Sequence, residues 1–180
     1  MAVDWAVEVM HNNPTNFPRL ATSRLILRAI APADAAAYGE LLSDETEYPY
    51  ITDSGPVSAA QISERICRTQ KLFVQGRAIY WALEYQASFI GHVALHDPNK
   101  PTPALSYAVR RQWRRRGFAT EAIAAVCRYT FSALGSRELV AHTHLDNGPS
   151  ASLLVQLGFR HRGVVSVTDG ERNEFRLTAA

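Results

Sequence analysis

The sequence predicts one mixed α/β domain, and three observations lead to this prediction. The chain has 180 residues, a length that suits a single sizeable core. Apolar residues recur with a period of two in some segments and at helical spacing in others. These segments follow in the order β-α-α-β-β-β-α-β-α-β-β, without a repeat or linker that would divide the chain. Residues 1–18 lack a strong period and are interpreted as an N-terminal extension, which leaves residues 19–180 as the domain.

Several segments show the alternation of apolar and polar side chains that is typical of β-strands. In the first, Leu25 and Leu27 fall on one face and the neighbouring arginine on the other. A short turn joins the second and third segments, so they are expected to form a hairpin, and the turn Asp169-Gly170 predicts another hairpin near the end. The predicted strands are residues 24–30, 78–85, 88–96, 104–109, 138–145, 164–168 and 171–177.

Other segments carry the start and stop signals of helices. Ser58 is a favoured N-cap, and Gln61 three residues later completes a capping box. Glycine stands where a helix should end, as at Gly135. The predicted helices are residues 32–42, 59–75, 118–134 and 149–157.

Composition and charge narrow the classes of protein to consider. A net charge of +2 gives no overall attraction to nucleic acid. The two cysteines, Cys67 and Cys127, form neither a metal-ligand spacing nor a disulfide framework, which fits a reducing cytoplasm. His142 and His144 share a strand face but lack further ligands, so no metal is expected. The sequence shows no signal-peptide pattern and no apolar run long enough for a membrane span, so we expect a cytoplasmic location and no membrane partner.

The most informative stretch, residues 104–134, runs from a strand through an arginine-rich turn into an amphipathic helix. Backbone amides at a helix start have no internal partner, and the helix dipole adds positive charge there. Glycine in the turn lets the backbone approach an anion where a Cβ would obstruct it, so the amides can form a nest for a pyrophosphate. The residues expected at this anion site are Arg114, Arg115, Arg116, Gly117, Phe118, Ala119 and Thr120.

Three motifs follow one another in matching strand and helix context. A strand ends in Tyr107-Ala108-Val109, the motif Arg114-x-x-Gly117-x-Ala119 opens the next helix, and Asn147-x-x-Ser150 opens the one after, which ends in Leu157-Gly158-Phe159. Together they resemble the GNAT acetyltransferase superfamily, whose pyrophosphate signature is Arg/Gln-x-x-Gly-x-Gly/Ala. Each motif alone is weak, whereas the ordered set is specific.

In its details the sequence resembles the branch that acetylates the N-termini of ribosomal proteins. The resemblance covers residues 19–178. The sequence features shared with this branch include Arg24-Leu25-Ile26-Leu27-Arg28 and the Gly-Phe-Ala-Thr-Glu-Ala of residues 117–122. The family implies a single α/β domain with a central, mostly antiparallel mixed sheet flanked by helices.

The resemblance also implies that the anion is coenzyme A and that acetyl-CoA is the donor. The pantetheine arm would run beside Tyr107 to Val109 like an added strand, and backbone N–H groups near Ala108 and Val109 would polarise the thioester carbonyl. Asn147 would contact the cofactor, and Ser150 would lie near the sulfur and hydrogen-bond or protonate the leaving thiolate. Asparagine and serine here are equally explained as ordinary helix caps.

Two groups that relatives use are missing at the matching positions. A tyrosine often follows on the asparagine-bearing helix, and residues 151–154 offer none. A glutamate often stands on the central strand three residues before the aromatic, where this chain has Ala104. The substitutes for this general base, acting through water, are Glu84, His92, His96 and Asp97. An ordinary surface position is the simpler explanation for each of them.

The absence of a glutamate base at residue 104 affects which acceptor amines can react. An α-amine with a pKa of about 7.8 is about a quarter neutral near pH 7.4, whereas a lysine with a pKa of about 10.4 is about a thousandth neutral. A site without a strong base therefore suits a peptide N-terminus or another amine of low pKa. By fold analogy alone, Glu45, Tyr48 and Tyr50 are expected to line the acceptor site, and Trp113 to be core or a wall beside the cofactor.

The predicted function is an acetyl-CoA-dependent N-acetyltransferase, in which a primary amine attacks the thioester directly. A protein N-terminus is the expected acceptor, and a monomer and a homodimer remain open. One rival is a coenzyme A binding or sensing module without activity, suggested by the missing glutamate, and another is a small-molecule amine acetyltransferase. The third is a nucleic-acid-binding domain that uses the five arginines of residues 110–116, which are otherwise a solvated turn.

Overall fold

The computed structural model describes residues 8–10, 17–45, 50 and 57–179. The strands are β1 (Glu8–Met10), β2 (Arg19–Ala21), β3 (Ile26–Ala29), β4 (Ala78–Tyr85), β5 (Ser88–His96), β6 (Ala104–Val109), β7 (Glu138–His144), β8 (Arg160–Val167) and β9 (Gly170–Thr178). The helices are α1 (Ala35–Leu42), α2 (Ala59–Val74), α3 (Phe118–Ser132) and α4 (Gly148–Gln156). Short 3-10 turns precede α1 at Pro32–Asp34 and follow β6 at Arg111–Trp113. The predicted order of strands and helices is confirmed from β3 onward.

All of these strands join one sheet, in the order β1-β2-β3-β4-β5-β6-β7-β9-β8. Every neighbouring pair is antiparallel except β6 and β7, which are parallel. The expectation of a mixed, mostly antiparallel sheet is therefore confirmed.

The parallel pair is also where the sheet opens. Strands β6 and β7 are in register only at Ala104 with Val140 and at Leu105 with Ala141. Beyond Leu105 the ladder stops, although both strands continue to Val109 and His144. The two strand ends therefore form the walls of a gap in the middle of the sheet.

Helices cover both faces of the sheet, and each face has its own core. Helices α3 and α4 bury residues such as Ile123 and Leu154 in the larger core, which includes Leu27 of β3. Helices α1 and α2 form the smaller core, which includes Ile30 from the end of the same strand segment. The alternation predicted for residues 24–30 thus places its side chains on opposite faces of the sheet.

Local signals account for several element boundaries. The predicted capping box of α2 is present, since Ser58 Oγ accepts a hydrogen bond from Gln61 N at 3.3 Å and Gln61 Oε1 accepts one from Ser58 N at 2.7 Å. Strand β8 starts earlier than predicted because a register shift between His161 and Gly163 interrupts the period of two.

Strands β1 and β2 went unpredicted because three residues are too few to show alternation. Within the described part of the chain, no helix combines the length and the apolarity needed to cross a bilayer.

Candidate active site

A cavity of about 560 Å³ occupies the gap between β6 and β7. This volume lies within the range of small-molecule sites, about 300–1,000 Å³. The predicted site residues that border it are Tyr107, Ala108, Val109, Arg114, Arg115, Gly117, Phe118, Ala119, Thr120, Asn147 and Ser150. Of the residues predicted to bind the cofactor, Arg116 does not border it. The fold thus brings together residues from three separate parts of the chain.

The cavity is bordered from both faces of the sheet. Tyr107 packs against the core of α3 and α4, whereas its neighbour Ala108 belongs to the core of α1 and α2. Ser106 lies on the same face as Ala108, because side chains alternate along a strand. Since residues of both faces line one cavity, it offers two sides from which molecules can meet. We call the α3/α4 side the donor side and the other the acceptor side.

The start of α3 forms the donor side and has the backbone geometry of an anion nest. Arg115 and Gly117 both adopt left-handed φ values, +59° and +78°. The first hydrogen bond of the helix runs from Glu121 N to the Gly117 carbonyl oxygen at 3.0 Å. The amides of residues 118–120 therefore have no carbonyl acceptor within the helix, and these three residues border the cavity.

The three arginines of the turn have different surroundings. Arg114 Nε donates to the Val109 carbonyl oxygen at 2.8 Å and Arg114 Nη2 to Asp44 Oδ2 at 2.8 Å, so its guanidinium holds the end of β6. Arg116 lies over the Trp113 ring, with its Cζ 5.1 Å from the ring centroid. Arg115 is exposed and borders the cavity. The turn therefore offers an anion backbone amides and the Arg115 side chain.

A buried carboxylate, which the sequence did not reveal, anchors the start of α3. Glu121 is 6% exposed and accepts hydrogen bonds from Thr22 Oγ1 (2.5 Å), Ser23 Oγ (3.1 Å), Arg24 N (2.9 Å) and Arg24 Nε (2.7 Å). Burial opposes its ionisation, but these hydrogen bonds outweigh burial and hold the pKa of Glu121 below its usual value. Arg24 also stacks on the Phe118 ring at 4.5 Å. The arginine that opens the Arg-Leu-Ile-Leu-Arg segment thus fixes the nest.

Strand β6 presents backbone amides to the gap. Arg110 N donates to the Ile90 carbonyl oxygen at 2.9 Å, so Arg110 faces β5. Because backbone groups alternate along a strand, the N–H groups of Tyr107 and Val109 point into the gap and that of Ala108 points to β5. Of the two amides expected to polarise a carbonyl, the Val109 amide has the required direction. The Ala108 amide does not, because its N–H takes part in the β5–β6 ladder.

A pair of hydroxyl groups meets at the donor side. Tyr107 Oη lies 2.7 Å from Ser150 Oγ, and either atom can be the donor. Ser150 is positioned by Asn147, whose Oδ1 accepts a hydrogen bond from Ser150 N at 3.1 Å as the N-cap of α4. A tyrosine was expected on α4 itself, where residues 151–154 offer none. The phenol comes instead from the facing strand.

Two of the substitutes for a general base are engaged elsewhere. Glu84 Oε2 accepts a hydrogen bond from Arg28 Nε at 2.5 Å, and Arg28 also binds Asp34. Asp97 pairs with Lys100 at 2.9 Å on the surface. Neither carboxylate borders the cavity.

The two histidine substitutes differ in their access to the cavity. His92 is 7% exposed, and burial, with a smaller contribution from His96, lowers its pKa to about 4. His92 does not border the cavity. His96 is half-buried, and its Nε2 lies 2.8 Å from Ser106 Oγ, which does border the cavity. Burial lowers the pKa of His96, and Asp97 opposes that shift.

Polar side chains of β7 and β9 form the other wall of the acceptor side. His142, His144 and Arg172 border the cavity, and the Tyr50 ring lies 5.8 Å from that of His144. Glu45 does not border it. Tyr48 lies outside the described residues.

Trp113 borders the cavity and is half-buried, and its ring packs against that of Tyr85 with the centroids 5.5 Å apart. Over the residues that the structure describes, no three His, Cys, Asp or Glu side chains group as metal ligands.

Comparison with known proteins assigns the family. Residues 24–160 match the family model described as the acetyltransferase (GNAT) domain. The uncharacterised N-acetyltransferase YoaA of Bacillus subtilis (strain 168) is 33% identical over 153 residues, which are 83% of this chain and 86% of that protein. The chain therefore belongs to the GNAT acetyltransferase family, and it is an N-acetyltransferase of that family.

Solved structures agree on the fold. RimJ of Mycobacterium smegmatis, in complex with CoA-disulfide, has a TM-score of 0.78 and 21% identity, with 97% of this chain and 85% of that one covered. The acetyltransferase of Salmonella typhimurium that modifies the N-terminal serine of ribosomal protein L7/L12 has a TM-score of 0.76 and 15% identity, with 88% and 96% covered. The Rim-type resemblance seen in the sequence is thus confirmed at the level of fold.

Proposed function

We propose that the protein transfers the acetyl group of acetyl-CoA to the α-amine of a peptide or protein N-terminus, by direct attack in a ternary complex. The observation that carries the proposal is the cavity bordered from both faces of the sheet. One side has an amide nest, and the other is an open wall of histidine and serine side chains. Donor and acceptor can thus meet inside the gap from opposite sides.

The donor side suits coenzyme A. The left-handed residues Arg115 and Gly117 and the amides that follow can bind a pyrophosphate, and Arg115 adds a positive charge. Of the two gap-facing amides of β6, that of Tyr107 can bind a chain laid beside the strand, which leaves that of Val109 for the thioester carbonyl. Solved structures of this fold include complexes with coenzyme A, with CoA-disulfide, and with acetyl-CoA and AMP, which supports the assignment.

The chain supplies two functions to the reaction. The Val109 amide donates a hydrogen bond to the carbonyl oxygen as negative charge develops there. The Tyr107–Ser150 hydroxyl pair supplies a proton to the departing sulfur. Acetyl-CoA itself contributes an activated thioester.

Direct attack is supported by the state of the cysteines. Cys127 is buried in the larger core, and burial raises its pKa to about 12, so it is not a thiolate near neutral pH. Cys67 is exposed on α2 and does not border the cavity. Neither sulfur is therefore placed to form an acyl-enzyme.

An α-amine is favoured because no carboxylate among the described residues borders the cavity. A site without a carboxylate base acts best on an amine that is already partly neutral, and the neutral fraction of an α-amine is about 250 times that of lysine near pH 7.4. The relative that modifies an N-terminal serine supports the same class of acceptor.

Release of free thiol from acetyl-CoA tests the proposal. Three matched acceptors are compared: a peptide with a free N-terminus and no lysine, the same peptide with a blocked N-terminus and one lysine, and a small primary amine of similar pKa. We expect the first to react fastest. Faster reaction of the small amine would favour a small-molecule acetyltransferase, and coenzyme A binding without thiol release from any amine would contradict the proposal.

A further inference from the structure

A serine–histidine pair on the acceptor side has no role in the chemistry described so far. Ser106 Oγ borders the cavity and lies 2.8 Å from His96 Nε2. Ser106 shares its strand face with Ala104 and Ala108, so it stands between two methyl groups on an otherwise apolar stretch of β6. A polar link from the cavity to a half-buried imidazole therefore runs through this one hydroxyl.

We propose that Ser106 and His96 form a proton relay that accepts the proton of the attacking amine. This inference rests on the proposed function and deepens it, because it assigns the base of that reaction. Ser106 is the residue that would touch the amine, and His96 acts through Ser106.

The surroundings of His96 keep its imidazole neutral and hold it in place. The Tyr80 ring packs edge-on against it with the centroids 5.4 Å apart. Burial lowers the pKa of His96, so the imidazole is unprotonated near neutral pH and can accept a proton. The other titratable or charged groups near it are His92 on its own strand and Asp97 just after the strand, while Arg68 acts on Tyr80 from α2.

The relay carries the amine proton to His96 without leaving a charge on Ser106. The amine lone pair forms the C–N bond with the acetyl carbon, the C–S bond breaks, and its electron pair leaves with sulfur. The amine proton passes to Ser106 Oγ while the Ser106 hydroxyl proton passes to His96 Nε2, so Ser106 stays neutral and His96 gains one proton. The Tyr107–Ser150 pair gives sulfur a proton. His96 then loses its proton to water, which resupplies the hydroxyl pair.

Two other histidines border the cavity, and each is paired with a carboxylate. His142 Nε2 is 3.4 Å from Glu174 Oε2, and that carboxylate also binds Arg176 through its other oxygen at 2.7 Å. His144 is bound to Asp146 at 2.5 Å on the surface. Either could act directly, so the test includes His142 as a competing base.

The test uses conservative variants of the full chain, with any amine that the wild type acetylates. His96→Gln keeps a hydrogen-bonding group beside Ser106 but accepts no proton. Ser106→Ala removes the hydroxyl, whereas Ser106→Thr keeps it. We expect His96→Gln and Ser106→Ala to lower kcat/KM on the order of a hundredfold, with the affinity for acetyl-CoA unchanged and Ser106→Thr close to the wild type.

The pH profile separates a relay from a merely structural contact. Below the pKa of the amine, log(kcat/KM) should fall with a slope of about one. Below the lowered pKa of His96 the slope should reach about two in the wild type and stay at about one in His96→Gln. A slope of two in His96→Gln, or loss of the second limb in His142→Gln instead, would overturn the relay. If the wild type acetylates an amine other than an α-amine, the acceptor assignment fails while the relay is still tested. A wild type without turnover on any amine overturns both.

Discussion

Replacing Gly117 by alanine tests the anion site, and the same helix provides a matched control. Gly117 precedes α3 with φ +78°, and Gly135 follows the helix with φ +70°. A Cβ on Gly117 would lie 3.3 Å from Arg24 Nη2, whereas a Cβ on Gly135 would meet no atom within 4 Å. Both substitutions force alanine into left-handed backbone, but only Gly117→Ala acts at the cavity.

The expected magnitudes follow from this geometry. Left-handed backbone costs an L-residue about 1–2 kcal/mol, so both variants should lose similar stability. For a chain of this length the loss corresponds to a fall in Tm of about 2–8 °C. At Gly117 this strain falls on the nest itself, so we expect one nest amide to lose its hydrogen bond to the anion. Loss of one hydrogen bond to a charged group, about 1.5–3 kcal/mol, weakens acetyl-CoA binding about tenfold to a hundredfold.

Isothermal titration calorimetry with acetyl-CoA, together with thermal unfolding, measures both effects. We expect a similar fall in Tm for the two variants and a weaker Kd for Gly117→Ala alone. Unchanged affinity in Gly117→Ala, or an equal loss of affinity in Gly135→Ala, would refute the assignment of the nest.

Two further predictions concern the hydroxyl pair and the buried carboxylate. Tyr107→Phe and Ser150→Ala should each lower kcat about tenfold to a hundredfold, and the double variant should fall no further than the slower single variant, because the two hydroxyls act as one unit; steady-state kinetics would show additive losses if they act separately. Glu121→Gln should lower the free energy of unfolding at pH 7 by about 1.5–3 kcal/mol, since the neutral amide replaces a charged acceptor of several hydrogen bonds. The pKa of Glu121 is depressed in the folded protein, so this stabilisation is complete above the ordinary glutamate pKa of about 4.3 and is lost as the pH falls through the folded value. Urea unfolding should therefore show the difference between wild type and Glu121→Gln closing at low pH, and a difference independent of pH would contradict the role of its charge.

Local patterns in the sequence predicted the elements of the fold and the donor side. The period of two, the capping box at Ser58 and the glycine turns are signals between near neighbours, and the structure bears out the strands and helices that they predict. The turn at Gly117 was predictable for the same reason, because an anion nest and the helix start that follows it are built from consecutive residues.

The contacts that complete the site join residues far apart in the chain. Tyr107 and Ser150 are 43 positions apart, and Arg24 and Glu121 are 97 positions apart. No periodicity shows which strand faces which helix, so these pairs required the fold. His96 was one of several candidate bases in the sequence, and only the register of β5 with β6 brings it next to Ser106.

Acetylation of a single peptide that carries both a free α-amine and one lysine tests the central claim most directly. Mass spectrometry of the product locates the acetyl group while donor, concentration and peptide are identical for the two amines. We predict that the α-amine is acetylated about 250 times faster than the lysine near pH 7.4, in proportion to their neutral fractions. Equal or faster acetylation of the lysine would contradict it.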